Sequence, residues 1–160
     1  MTAARDRIAG LLAGGVSAAL LSGALLFQYA GGLPPCEMCH WQRWPHIGAA
    51  LFGLIGCGLL AARFSAGTGR ALALLAILSL ALSGVIGVFH AGVEWGWWEG
   101  LTACTGLGFT PGALDGPDAF RIVRCDVAAW RFLGLSLAGY NALISLGAAG
   151  LSLALMRRRS

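Results

Sequence analysis

Residues 8–30 read IAGLLAGGVSAALLSGALLFQYA, with no charged side chain between Ile8 and Ala30. That length is close to the ~20 apolar residues a helix needs to cross a bilayer. Arg5 and Arg7 stand just before it. The competing reading is a cleaved signal peptide, with Val16-Ser17-Ala18 as a small-residue cleavage candidate. The apolar character continues far beyond that point, so a retained helix is favoured. Three more apolar segments follow at about 45–62, 71–90 and 133–156, joined by connections at about 31–44, 63–70 and 91–132. Residues 1–160 are therefore predicted to form a single membrane domain. The fold class is an all-α integral membrane protein, a four-transmembrane-helix bundle.

Composition agrees. The chain is 58% hydrophobic and 11% charged with a mean hydropathy of +0.75, whereas charged residues make up about a quarter of a soluble domain. Small residues at Gly10-x-x-x-Gly14 and Ala18-x-x-x-Ser22 suit close helix packing in lipid. The net charge of +4 is no signal for nucleic acid, because the arginines cluster at segment ends. Arg5, Arg7, Arg63, Arg70, Arg157, Arg158 and Arg159 fall on one side, leaving Arg43, Arg121, Arg124 and Arg131 on the other. The positive-inside rule makes the first side cytoplasmic. Both termini are then cytoplasmic and two loops face outward. In a small membrane protein without organellar targeting, outward means the periplasm, across a bacterial cell inner membrane. Glu94-Trp95-Gly96-Trp97-Trp98-Glu99 reads as a segment at headgroup depth, whose rings are also placed to border a lipid-soluble ligand. Pro111, Gly112, Asp115, Gly116 and Pro117 mark loop.

Four of the five cysteines lie in the outward loops. Cys36 and Cys39 form a Cys-x-x-Cys pair behind Pro34-Pro35; Cys104 and Cys125 lie in the longer loop. Cys57 sits inside an apolar run among Gly53, Gly56 and Gly58, where a thiol behaves as a small hydrophobe. Two disulfide-capable pairs facing an oxidising compartment suggest an electron relay. If the chain turns helically from Cys36, Cys36, Cys39 and Arg43 share a face. The guanidinium and the helix N-terminus would both favour a Cys39 thiolate. Pro45 either starts that helix or kinks it. Electrons moving inward from these thiols need a more oxidising sink, and among lipid-soluble two-electron acceptors a quinone fits best.

Four features resemble the disulfide bond formation protein B family. They are Phe27-Gln28, Cys36-x-x-Cys39 followed by Trp41-Gln42-Arg43, the loop cysteines Cys104 and Cys125, and Trp130-Arg131-Phe132-Leu133-Gly134-Leu135. The resemblance implies a quinone-dependent protein-disulfide oxidoreductase that reoxidises a periplasmic DsbA-like thiol oxidase. The catalytic residues would be Cys36, Cys39, Cys104 and Cys125. The partner would form a transient mixed disulfide at Cys104, the freed Cys125 would exchange with Cys36, and Cys39 would pass electrons to ubiquinone or menaquinone from the membrane pool. Arg43 and Cys39 would border the quinone. His90 is a further candidate, as a hydrogen-bond donor to a quinone carbonyl, with His40 and His46 ranked below it. The loop between Cys104 and Cys125 is shorter and richer in glycine than in better-known members.

Three other readings compete. The vitamin K epoxide reductase family also joins a four-helix bundle, a Cys-x-x-Cys and a quinone, but its loop cysteines precede the Cys-x-x-Cys. A four-cysteine zinc site is usually built from two tight knuckles, and Cys104 and Cys125 make none, so no metal is expected. The last is a non-enzymatic four-span protein with structural disulfides.

Overall fold

The computed structural model describes residues 2–101, 104 and 123–157. Four helices dominate: α1 (Thr2–Tyr29), α2 (Glu37–Ala61), α3 (Ala66–Glu94) and α4 (Leu137–Arg157). Each is long and apolar enough to span a membrane. Consecutive helices pack side by side, and α1 closes the bundle against α4. The loop residues Pro111, Gly112, Asp115, Gly116, Pro117 and Arg121, with Arg158 and Arg159, lie outside the described residues.

Small residues fill the middle of the bundle. Ala9, Ala13, Ala49, Ala73, Ala76, Ile77 and Leu80 form its core, and a Cβ on Gly53 would sit 2.6 Å from the Gly10 carbonyl oxygen. Backbones approach this closely because lipid tails are as apolar as leucine, so helix association rests on packing. The large side chains Leu26, Leu54, Leu78 and Leu151 are exposed on the outer faces, as lipid contact requires. At one end, the exposed Arg70 lies 4.0 Å from the buried Asp6, tying the start of α1 to the start of α3.

All four helix starts differ from the hydropathy reading: α1 already begins at Thr2, and α3 begins at Ala66 behind its cap Ser65, so residues 66–70 are helix rather than connection. The second helix begins at Glu37 rather than near Pro45, because Cys36 caps it: the Cys39 backbone N–H donates to the Cys36 sulfur at 3.3 Å. The Cys-x-x-Cys pair thus belongs to the first turn of α2 instead of a polar connection, and Pro45 lies inside the helix. The fourth helix begins at Leu137, not near Leu133. Residues 131–136 form a short antiparallel hairpin, pairing Arg131 with Ser136 and Phe132 with Leu135. Its turn residues Leu133 and Gly134 have φ of 48° and 82°, the paired positive values of a tight hairpin turn. Ser136 then caps α4 by accepting from the Gly139 N–H at 3.1 Å.

Candidate active site

Cys36, Cys39, Cys104 and Cys125 meet at the end of the bundle opposite Asp6. Cys36, Met38, Val93, Cys104 and Cys125 form one buried cluster. Cys104 and Cys125 are disulfide-bonded, with Cα atoms 5.4 Å apart, and the Cys125 N–H donates to the Cys104 carbonyl at 3.1 Å. Cys36 and Cys39 are free thiols whose sulfurs lie 2.9 Å apart. Cys57, half-buried, is the other free cysteine among the described residues. It lies 18 residues beyond Cys39, or about 27 Å along the helix at 1.5 Å per residue.

The inner pair faces two ways. The Cys36 sulfur, a ring nitrogen of His90 and the Cys125 sulfur all lie within 4.8 Å of one another, so Cys36 is the thiol turned toward the loop disulfide. Its hydrogen bond with Cys39 and its burial both push the Cys36 thiol far above its ordinary pKa, outweighing the opposite pull of the helix N-terminus. Cys39, by contrast, borders a cavity of about 400 Å³ between α1, α2 and α4. Leu20, Leu33, Pro35 and Ile144 make much of its lining apolar. Phe27 and Trp130, with ring centroids 5.1 Å apart, form an aromatic wall, which Phe132 and Tyr140 extend.

Arg43 also lines this cavity. One guanidinium nitrogen, Nη1, donates to Gln28 Oε1 at 2.6 Å, while Nε is buried without a partner among the described residues. His90, the further candidate, lines the same cavity. Its Nδ1 accepts from the Gln42 amide at 2.8 Å, and its Nε2 lies 3.6 Å from the Cys36 sulfur and 3.7 Å from Glu94. The ring thus stands between the polar network, through Nδ1, and the Cys36 thiol, through Nε2. Glu94 turns inward, its side chain 5% exposed and its Oε1 3.7 Å from His90 Nε2. The indoles of Trp95, Trp97 and Trp98 pack with one another and with Phe89 and do not border the cavity. His40 is exposed on the outer surface.

What the sequence did not reveal is a buried polar network beneath the thiols. Gln42 and His46 from α2, Ser83 from α3, and Asn141 and Ser145 from α4 are all buried and hydrogen-bonded together. Gln42 and His46 stand near the cysteine motif, but Ser83, Asn141 and Ser145 are single polar residues in apolar runs and carry no periodic signal of a shared network.

A four-helix membrane bundle with one disulfide and a tight dithiol at the same end defines a membrane thiol–disulfide protein. Comparison with known sequences specifies the family. Residues 6–155 match the model of Disulfide bond formation protein DsbB, and the chain belongs to that family. It is 30% identical over 151 residues to Disulfide bond formation protein B of Xanthomonas oryzae pv. oryzae, covering 89% of this chain and 87% of the relative. The protein of the same description from Aromatoleum aromaticum is 31% identical over 136 residues, covering 79% and 77%. That from Pasteurella multocida is 33% identical over 129 residues, covering 76% and 68%. No solved structure gives a significant match.

Proposed function

We propose that this protein reoxidises a periplasmic, thioredoxin-like dithiol oxidase and passes the electrons to a membrane quinone, with its redox face on the periplasmic side of the inner membrane. The observation that carries the reading is the approach of the Cys125 sulfur to within 4.8 Å of Cys36, while Cys39, hydrogen-bonded to Cys36, borders the cavity. One pair receives electrons and the other delivers them.

Disulfide exchange accounts for each electron. A partner thiolate attacks Cys104, forming an interprotein disulfide and releasing Cys125 as thiolate. Cys125 attacks the Cys36 sulfur of a Cys36–Cys39 disulfide, and Cys39 leaves as thiolate. The partner's second cysteine frees Cys104, which attacks Cys125 and releases Cys36. The loop disulfide is restored and two electrons rest on Cys36 and Cys39, the pairing seen in the structure. The neutral His90 ring carries its proton on Nε2, because Nδ1 accepts from Gln42, and it donates toward Cys36 as that thiolate departs.

The cavity residues fit a quinone. Its volume lies within the range of small-molecule sites, about 300–1,000 Å³, Phe27 and Trp130 offer ring faces, and the unpartnered Arg43 Nε–H is a donor for a carbonyl oxygen. A bound quinone accepts the two electrons and two protons released when two thiols become a disulfide. Arg43 holds negative charge next to Cys39. A metal bridging Cys36, His90 and Cys125 is disfavoured because a disulfide sulfur is not a thiolate ligand.

A partner oxidase retaining only its attacking cysteine tests the scheme. It should remain bonded to the protein, and peptide mass spectrometry should place the bond at Cys104. A bond at Cys125 would reverse the two loop roles; no heterodimer at all would remove the partner step.

A further inference from the structure

The buried network fixes the proton positions on His46. The Gln42 amide nitrogen faces the Met38 carbonyl at 3.1 Å, so it is a donor there, and its second N–H goes to His90 Nδ1. The Asn141 amide nitrogen faces the Ser83 carbonyl at 3.2 Å and also donates to Gln42 Oε1 at 2.7 Å. Asn141 Oδ1 is therefore an acceptor, taking the Ser145 hydroxyl at 2.7 Å. The Ser83 hydroxyl spends its proton on the Gln42 carbonyl at 2.9 Å. His46 Nε2 lies 2.9 Å from both Asn141 Oδ1 and Ser83 Oγ. Facing two acceptors, it must carry the ring proton.

His46 Nδ1 is then a bare lone pair. It is buried, on a side chain whose residue is 4% exposed, and has no partner among the described residues. His46 lines the same cavity as Arg43, about one helical turn beyond it on α2. Leaving a buried acceptor unsatisfied is costly, and an oxidised quinone has no donor to offer it. A hydroquinone does. Arg43 Nε–H serves either form, since carbonyl and hydroxyl oxygens both accept.

We propose that His46 is a ligand-binding residue of this cavity whose Nδ1 accepts a hydrogen bond from a ring hydroxyl, so that the site holds the reduced form of its ligand more tightly than the oxidised form. The proposal rests on reading the cavity as a quinone site and adds which oxidation state it favours and which atom decides. By linkage, a preference for the reduced form makes the bound acceptor a stronger oxidant. A tenfold preference corresponds to about 30 mV for a two-electron couple. Gln42, Ser83, Asn141 and Ser145 are positioning residues, setting the tautomer rather than touching the ligand.

The test uses the full chain in nanodiscs with both cysteine pairs oxidised, so that no thiol remains to reduce the probe. Binding of a short-tailed ubiquinone and of its ubiquinol is measured under anaerobic conditions by quenching of tryptophan fluorescence. The ubiquinol should bind about tenfold more tightly, and His46→Phe should abolish that preference while still binding both forms. Nitrogen NMR of the unaltered protein supplies a readout independent of the variant's folding: His46 should be protonated at Nε2 alone, and its Nδ1 resonance should shift on adding ubiquinol but not ubiquinone. Equal affinity for the two forms, or a ring protonated at Nδ1, overturns the proposal and leaves the quinone reading standing. Failure of both probes to bind the unaltered protein would remove the quinone reading and this proposal together.

Discussion

His90 Nε2 stands 3.6 Å from the Cys36 sulfur, the thiol that faces the loop disulfide, on a ring that also lines the cavity. Its proton is held on that nitrogen by the Gln42 amide, which donates to Nδ1. His90→Phe should therefore slow exchange between the loop pair and the inner pair by about 100-fold, the lower range for a positioned proton donor. Rapid acid-quench with thiol alkylation measures this step. An unaltered exchange rate would remove His90 from the thiol chemistry.

Arg43→Ala should impair electron delivery to quinone about 10- to 100-fold, the worth of one charge-assisted hydrogen bond. Exchange with the partner dithiol should be nearly normal, because Arg43 lines the cavity on the Cys39 side. Arg43→Lys should restore only part of the loss: a compact ammonium cannot reach Gln28 Oε1 and still present the planar Nε–H. Equal damage to both half-reactions in stopped-flow traces would point to misfolding.

Cysteine substitutions separate by position. Cys36→Ser and Cys39→Ser should each abolish quinone-linked turnover, since either removes the inner disulfide. Cys57→Ser should leave the rate within about twofold, because that thiol is about 27 Å along α2 from Cys39. A folded but inactive Cys57→Ser protein would contradict the assignment.

Helix packing gives a stability prediction. Gly53→Val should destabilise the bundle by about 1–3 kcal/mol, the typical range for overpacking, because the new Cβ would meet the Gly10 carbonyl and Gly14 Cα at 2.6 and 2.9 Å. Gly15→Val should be nearly neutral, as nothing lies within 4 Å of its Cβ position. Thermal unfolding in detergent compares the two.

The parts of this protein that hydropathy and spacing encode were legible in the sequence. Four long apolar runs gave the helices, and Cys36, Cys39, Cys104 and Cys125 stood out because thiols are few and their spacing differs. Helix starts were less legible because they depend on caps: hydropathy does not register that Cys36 accepts the Cys39 N–H, or that Leu133 and Gly134 turn a hairpin before α4. Glu94 and the neighbouring indoles looked alike as an interfacial segment, yet the carboxylate turns inward to His90. The network of Gln42, His46, Ser83 and Asn141 was least legible, for each residue acquires its meaning only when three helices bring them together.

Electrons should pass through this protein from a periplasmic dithiol to a quinone, and one anaerobic mixture tests that passage most directly. The purified protein is combined with a reduced thioredoxin-like dithiol oxidase and excess ubiquinone, and quinone absorbance is followed. Quinone should be consumed one for one with the disulfide formed in the partner, and Cys39→Ser should stop it. Oxidation of the partner without stoichiometric loss of quinone, or no oxidation at all, would contradict the claim.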